Sequence, residues 1–433
     1  AFLERTGIAN FFISFANRIA GWSSGGPAKV AVIASALMGM INGSVIANVA
    51  TTGTITIPLM KKTGYKKDFA AAVEAVASTG GQFTPPIMGA VGFVMAEFMC
   101  VSYTKVMLAA AIPAFLYYLS LLYSVHLEAK RLGLSGLSKE NIPQAGKVLR
   151  ERGHLLIPLV VLLALMFAGY TPLFAAIIAI FVTIPVSWIR KETHMDLETI
   201  VRATVEGSRS AIGVGISCII IGVISLTGIG YKFINVITAL AGSNLLLLMA
   251  MLMVTCIILG MGVPTAPAYI IVATLGAPAL MKAGVPIIAA HMFVYFYAIL
   301  SVITPPVCLA AFAGAAIAET NAMKTGVTAM KLGIVAFIIP FMFVFEPALL
   351  MQGSTTEIVT AFASALIGVI GIASGMQNWL LVRCRLWERA LLLASGLMLI
   401  FPGLITDTIG LSSLLIVLFA QRLRKGGSPV AAA

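Results

Sequence analysis

Two Thr-Pro-Pro triplets, Thr84-Pro85-Pro86 and Thr304-Pro305-Pro306, interrupt long apolar runs and stand 220 positions apart. Each double proline removes two backbone donors and frees carbonyls of the turn before it. Hydrocarbon cannot satisfy such groups, so they belong where they are packed in protein or line a polar cavity. A small, Gly-rich stretch precedes each break: Asn42 to Gly53 before the first and Gly260 to Pro267 before the second. Read as hairpin tips, these stretches expose orphan carbonyls where one half-helix ends and orphan N–H groups where the next begins. The carbonyl end favours a cation and the N–H end an anion. Each tip-plus-break unit could therefore hold a small cation beside an anionic ligand.

The side chains on offer are Asn42, Ser44, Asn48, Thr51, Thr52 and Thr84 in the first unit, and Thr265, Tyr269 and Thr304 in the second. They are neutral oxygen donors, which suit Na⁺ better than a transition metal. We assign Ser44, Asn48, Thr51, Thr52, Thr265 and Thr304 to the substrate, and Asn42, Gly43, Gly80, Thr84, Gly262 and Ser301 to a coupling ion. The bland alternative is that Ser, Thr and Gly here only let helices pack closely. It is weaker for Asn42 and Asn48, which are polar and inside a hairpin. Glu74 follows Asp68 by six residues, which places it about 9 Å further along a helix. Acidic groups inside membranes are costly and usually functional. Glu74 either carries a coupling proton or ion, or it is structural, facing a cytoplasmic vestibule or holding a neighbouring hydroxyl. Glu97 and Glu319 read as interface anchors, and Asp407 is without an assigned role. The five cysteines (Cys100, Cys218, Cys256, Cys308 and Cys384) form no close pair. The four histidines (His126, His154, His194 and His291) show no metal spacing. There is no phosphate-binding Gly-Lys-Ser/Thr loop, and Ser44 has no histidine near it in sequence. The chain therefore reads as neither an enzyme nor the holder of an organic cofactor.

The elements that must position these residues are membrane spans. The 433 residues are 60% hydrophobic and 10% charged, with a mean hydropathy of +1.03. Many apolar runs approach the roughly 20 residues that cross a bilayer. The net charge of +12 sits in short clusters between spans, which points to the positive-inside rule rather than to nucleic acid. Residues 1–27 read as an amphipathic lead-in helix. A first repeat covers 28–125, with a hairpin at 28–60, a broken helix at 68–99 and a span at 105–124. Residues 126–209 hold a charged loop, two scaffold spans and an amphipathic arm at 190–209. A second repeat covers 210–346, with a hairpin at 244–280, a broken helix at 285–318 and a span at 327–346. Residues 347–433 supply C-terminal spans and a basic tail. The offset recurs: Gly39 precedes its break by 45 residues and Gly260 by 44, while Pro58 and Pro278 are again 220 apart. With the Lys61–Lys67 loop in the cytoplasm, the basic clusters at 126–153, 190–209, Arg383–Arg389 and the tail all fall inside. The two hairpins then open to opposite faces. The expected fold is an all-α polytopic membrane protein, an inverted-repeat transporter with two re-entrant hairpins and two discontinuous helices.

The run from Phe69 through Glu74, Ser78-Thr79-Gly80-Gly81-Gln82 and Thr84-Pro85-Pro86 to Ala90 resembles the large membrane subunit of tripartite ATP-independent periplasmic (TRAP) transporters. Gly260-Met261-Gly262-Val263-Pro264-Thr265, Ser301-Val302-Ile303-Thr304-Pro305-Pro306-Val307 and Trp387-Glu388-Arg389-Ala390 are similar to the TAXI-type branch, in which small and large membrane subunits are usually fused. The resemblance implies an importer of an organic acid in the bacterial inner membrane, with a cytoplasmic C-terminus. It implies a periplasmic substrate-binding protein and a small membrane subunit as partners, besides the lipid bilayer. It also implies Na⁺ or H⁺ coupling and an elevator motion of the hairpins and broken helices. Fused members carry a small-subunit region before the first hairpin, so a missing N-terminal part is expected. The alternatives from the residues alone are a dicarboxylate or ion elevator carrier that needs no binding protein, and a channel or structural membrane subunit.

Overall fold

Apolar runs become helices, several of which end at Gly or Pro, while Pro58, Pro113, Pro185 and Pro340 lie inside helices. The computed structural model describes residues 1–137, 143, 145–400 and 403–426, which form helices, connecting turns and one isolated bridge between Trp379 and Arg383. A lead-in of α1 (Phe2–Arg5) and α2 (Ile8–Ala20) precedes the first hairpin, α3 (Gly26–Ile41) and α4 (Val45–Lys62). The first broken helix is α5 (Lys67–Gly81) and α6 (Val91–Phe98), and α7 (Tyr103–Leu132) returns. Next come α8 (Ala145–Arg152), α9 (Ile157–Phe167), α10 (Pro172–Ser187), α11 (Leu197–Thr227) and α12 (Ile229–Ala241). The second hairpin is α13 (Leu245–Gly260) and α14 (Thr265–Leu275), followed by α15 (Ala277–Lys282). The second broken helix is α16 (Ile287–Leu300) with a 3₁₀ turn at Ser301–Ile303, then α17 (Leu309–Ala318). The chain closes with α18 (Ala322–Leu332), α19 (Ile334–Phe345), α20 (Thr355–Gln377), α21 (Leu386–Ile400) and α22 (Leu404–Gly426). Among the described residues, four helical stretches are long and apolar enough to cross a membrane: Tyr103–Leu132, Ala322–Phe345, Thr355–Gln377 and Ile405–Arg424.

Three boundaries differ from the sequence expectation. The arm at 190–209 and the following span share the helix α11, because nothing between Leu197 and Thr227 breaks it; Gly228, at φ 65°, does. The charged loop begins later than 126, since α7 runs on to a left-handed Gly133. Part of that loop, including Lys139, lies outside the described residues, as does Pro402. The second arm of the second hairpin is divided at Gly276-Ala277-Pro278, whereas Pro58 sits inside an unbroken α4.

The packing is crosswise. The first hairpin lies against α5 of the first broken helix and also against α17 of the second. The second hairpin lies against α16 and also touches α6. Each hairpin therefore packs on one arm from each half. Both breaks carry a cis Pro-Pro peptide, Pro85-Pro86 and Pro305-Pro306. At the first, α3 and α5 meet at two glycines: a Cβ on Gly39 would lie 2.9 Å from Gly81 Cα. Phe83 in the break stacks on Phe296 of α16, centroids 4.3 Å apart.

Candidate functional site

The backbone carbonyls around the first break are answered largely by protein hydroxyls. Thr84 Oγ1 donates to Gly80 O at 2.7 Å. Tyr295 OH, from α16, donates to Gln82 O at 2.7 Å. Tyr103 OH stands 2.6 Å from Ile87 O and 2.9 Å from Pro86 O. Tyr117 OH and Tyr118 OH donate to Val76 O and Ala77 O, each at 2.6 Å. Gly80 lacks a side chain where the Tyr117 ring passes, since a Cβ there would lie 2.3 Å from Tyr117 Cε1. Of the two settings expected for the freed carbonyls, packed in protein or lining a polar cavity, these take the first and are bonded inside the protein, which is what burial away from water demands. Sequence reasoning did not single out Tyr103, Tyr117, Tyr118 or Tyr295. The available signal was that a buried tyrosine usually finds a partner for its hydroxyl.

What stays open is a cluster of amides. Gln82 Nε2 donates to Asn42 O at 2.7 Å and to Gly39 O at 3.2 Å. Asn48 Nδ2 donates to Ser35 O at 2.9 Å. Asn42 Oδ1 accepts the Ser44 N–H at 3.3 Å. These partners fix which end of each amide is nitrogen. Three polar atoms are left buried without a partner: Asn42 Nδ2, Asn48 Oδ1 and Gln82 Oε1. One is a donor and two are acceptors, and all three residues are buried. Beside them α4 begins, with Ser44 Oγ capping the Ala47 N–H at 3.4 Å. Gln82 belongs to this cluster and was not among the expected site residues.

Glu74 is fully buried, so it does not face a vestibule. Its carboxyl group is enclosed by hydroxyls from three helices. Ser35 of α3 approaches Oε1 at 2.5 Å and Thr56 of α4 approaches Oε2 at 2.6 Å. Thr52 of α4 also bonds Oε1, and Ser78 of α5 lies 3.4 Å from it. Gly53 leaves room for the acid: a Cβ there would stand 3.1 Å from Glu74 Cγ. Thr52 Oγ1 also lies 2.8 Å from Asn48 O. The cage thus joins both arms of the first hairpin to α5, directly beneath the amide cluster in sequence. Thr51 turns elsewhere and donates to Ala47 O of its own helix.

The second unit is built differently. Ser301 Oγ donates to Ala298 O at 2.6 Å and Thr304 Oγ1 to Leu300 O at 2.7 Å. Both hydroxyls are spent on their own helix turn. Thr265 starts α14 and is buried, while Gly262 turns the tip at φ 77°. Gly43 and Gly262 are both exposed at their tips. Tyr269 OH pairs with His291 Nδ1 at 2.8 Å. Among the described residues of this half, no buried amide lacks a partner. Glu97 is exposed just before α6 ends, and Glu319 forms the left-handed end of α17. Asp407, in the first turn of α22, keeps a buried Oδ1 without a partner. Among the described residues no group of three His, Cys, Asp or Glu side chains gathers as a metal site would.

Residues 1–358 match the family described as the tripartite ATP-independent periplasmic transporter, DctM component. Residues 358–413 match a domain of unknown function, DUF3394. The chain is 32% identical over 179 residues to the C4-dicarboxylate TRAP transporter large permease protein of Vibrio cholerae, covering 41% of this chain and 39% of that protein. It is 23% identical over 345 residues to the sialic acid TRAP transporter permease protein of Haemophilus influenzae, covering 77% of this chain and 54% of that one. An uncharacterized protein of Salmonella typhimurium is 23% identical over 348 residues, 79% of each chain. The chain thus spans about two-fifths of the dicarboxylate permease and about half of the sialic acid permease.

Proposed function

The chain belongs to the DctM component family of tripartite ATP-independent periplasmic transporters, and from that premise we propose that it imports an organic acid whose carboxylate and coupling cation meet at the first hairpin and break. The family is one of multi-pass permease subunits, not of enzymes. The observation that carries the reading is the trio of buried amides with unpaired atoms, Asn42, Asn48 and Gln82. A buried polar atom without a partner costs about 1–3 kcal/mol, so three together ask for a ligand.

The chemistry of each free atom assigns its role. Asn42 Nδ2 is a donor and stands beside the N-terminus of α4, an 18-residue helix. Together they suit a carboxylate. Asn48 Oδ1 and Gln82 Oε1 are acceptors and suit Na⁺ or a protonated carrier of charge. This exchanges the roles that sequence alone gave Asn42 and Asn48. Ser44 stays with the substrate end through the α4 N-terminus, and Gly43 moves there from the coupling-ion set. Thr84, Ser301, Thr304 and Gly80 hold backbone at the two breaks, and Thr52 holds the hairpin to Glu74. Thr265 and Gly262 offer a second, weaker contact from the other tip.

Glu74 is the candidate for H⁺ coupling, since protonation would reorient the hydroxyls of Thr52 and Thr56 that now reach both it and backbone carbonyls. The neutral oxygens are the candidate for Na⁺. Crosswise packing of the hairpins supports an inverted repeat with re-entrant hairpins and an elevator motion. The partners in this reading are a periplasmic binding protein and a small membrane subunit. The setting in this reading is the inner membrane with the C-terminus in the cytoplasm, and the residue resemblance supports the TAXI-type branch. Uptake into proteoliposomes carrying the whole transporter, with and without binding protein and with Na⁺ and H⁺ gradients imposed separately, tests all of this. Accumulation driven by neither gradient sinks secondary transport, and accumulation without the binding protein sinks the tripartite assignment.

A further inference from the structure

A cavity of about 570 Å³ adjoins the first tip, bordered by Gly43 and Gly89 on one side and by residues of α9, α10 and α11 on the other. Its volume is that of a small-molecule site, roughly 300–1,000 Å³. The two glycines are where the cavity comes nearest the amide cluster. A Cβ on Gly89 would lie 3.3 Å from Gln82 Oε1 and 3.7 Å from Gly43 Cα, while one on Gly43 would meet nothing within 4 Å. Gly89, which borders the cavity, is thus a direct neighbour of the unpaired oxygen of Gln82. No charged side chain lines the rest. Thr183 and Thr204, in its wall, turn their hydroxyls to Ala179 O and Ile200 O of their own helices, at 2.7 and 2.9 Å. Ser208 is a third hydroxyl residue in the wall and residues 1–3 border one edge, while Phe93, Leu159, Leu162, Ala179 and Ile180 make most of the rest aliphatic and aromatic. One end is polar and hungry for partners, and the body is apolar.

We infer that the transported acid is a monocarboxylate with a compact branched or aromatic body, which the cavity receives while the carboxylate sits at Asn42 and the start of α4. The inference rests on the proposed site and narrows its substrate class. A second carboxylate in this cavity would lose its water and find no charged side chain in exchange. An apolar body instead leaves water for matching walls. The cavity therefore discriminates against dicarboxylates, although a relative's name carries one.

The test is thermal melting of the purified full chain with 4-methyl-2-oxopentanoate, phenylpyruvate or succinate, each titrated to give an affinity. Wild type binds the two apolar oxo acids at least ~10-fold more tightly than succinate. Ala179→Leu, which fills the wall away from the amides, weakens both oxo acids by ~10-fold or more. Ile180→Ala, which enlarges the wall and is the fallback if the leucine variant does not fold, shifts preference toward phenylpyruvate. Equal or tighter succinate binding overturns the inference. So does a response to added phospholipid but to no acid, which marks a lipid pocket. If Asn42→Asp abolishes binding of every acid while the wall variants change none, the site reading stands and the cavity assignment falls. If acids bind Asn42→Asp as they bind wild type, the site reading itself fails and takes the inference with it.

Discussion

Replacing Tyr295 by Phe removes a single hydroxyl from a fully buried ring. That hydroxyl is the hydrogen-bonding link from α16 to the first break, beside the Phe296–Phe83 stack, donating to Gln82 O at 2.7 Å. The carbonyl lies where α5 has already ended, and the aromatic packing against Tyr269, with ring centroids at 5.4 Å, is kept. Leaving a buried carbonyl without its donor costs about 1–3 kcal/mol, roughly 5- to 150-fold in the ratio of formed to unformed break. Only the formed break presents the Gln82 amide, so the apparent KM for uptake rises by up to that factor. Tyr297→Phe is the matched control. Its hydroxyl donates to Phe337 O at 2.6 Å, from an equally buried ring on the same helix, but away from the first break. Both variants should lower the melting temperature in detergent by similar amounts. Only Tyr295→Phe should raise KM in reconstituted vesicles. An equal rise for both would show that general destabilisation explains the effect. No rise for Tyr295→Phe would refute the claim that the second half holds the first break in its binding form.

Glu74→Gln should leave the protein folded and, if the acid carries the coupling proton, flatten the pH dependence of uptake; unchanged pH dependence would end that role. Thr56→Val removes a hydroxyl 2.6 Å from the Glu74 carboxyl group. It should cost about 1.5–3 kcal/mol if the carboxyl is ionised and about 0.5–1.5 kcal/mol if it is neutral, read from the melting shift. Gly39→Ala drives a Cβ to 2.9 Å from Gly81 Cα, so about 1–3 kcal/mol of overpacking should reduce the yield of folded protein. Gly146→Ala, where a Cβ meets nothing within 4 Å, should not. Glu388→Ala deprives the Gln421 amide (2.9 Å) and Arg424 (3.0 Å) of their shared acceptor. Limited proteolysis should then cut the C-terminal helix sooner, with saturated uptake little changed.

The breaks and the paired helices before each of them were legible because they are written locally. Proline placement and apolar run length fix them without reference to distant residues. Glu74 was legible as anomalous, but its cage was not, because its hydroxyls come from Ser35, Thr52 and Thr56 on two other helices. Tyr295 reaches a carbonyl 213 positions away, a contact that depends on how the halves pack. The proposed exchange of roles between Asn42 and Asn48 rests on which end of each amide its neighbours already occupy, and sequence does not carry that. Thr304 and Ser301 are a different lesson. Hydroxyls in helices commonly bond their own preceding turn, as both do. Their weak claim on a ligand was available from local chemistry. The helix α11 running through position 209 shows the opposite error, in which a change in composition was taken for a change in structure.

The most direct test of the site is the affinity of the reconstituted transporter for its acid, titrated at rising Na⁺ and, separately, at falling pH. Wild type is compared with Asn42→Asp and Asn48→Leu. Asn42→Asp keeps the acceptor for the Ser44 N–H but replaces the free donor with a negative charge. Asn48→Leu removes a free acceptor. The account predicts that Asn42→Asp loses the acid at every ion concentration. It predicts that Asn48→Leu still binds the acid, with an affinity that no longer responds to the coupling ion. Wild-type affinity and ion dependence in both variants would contradict it.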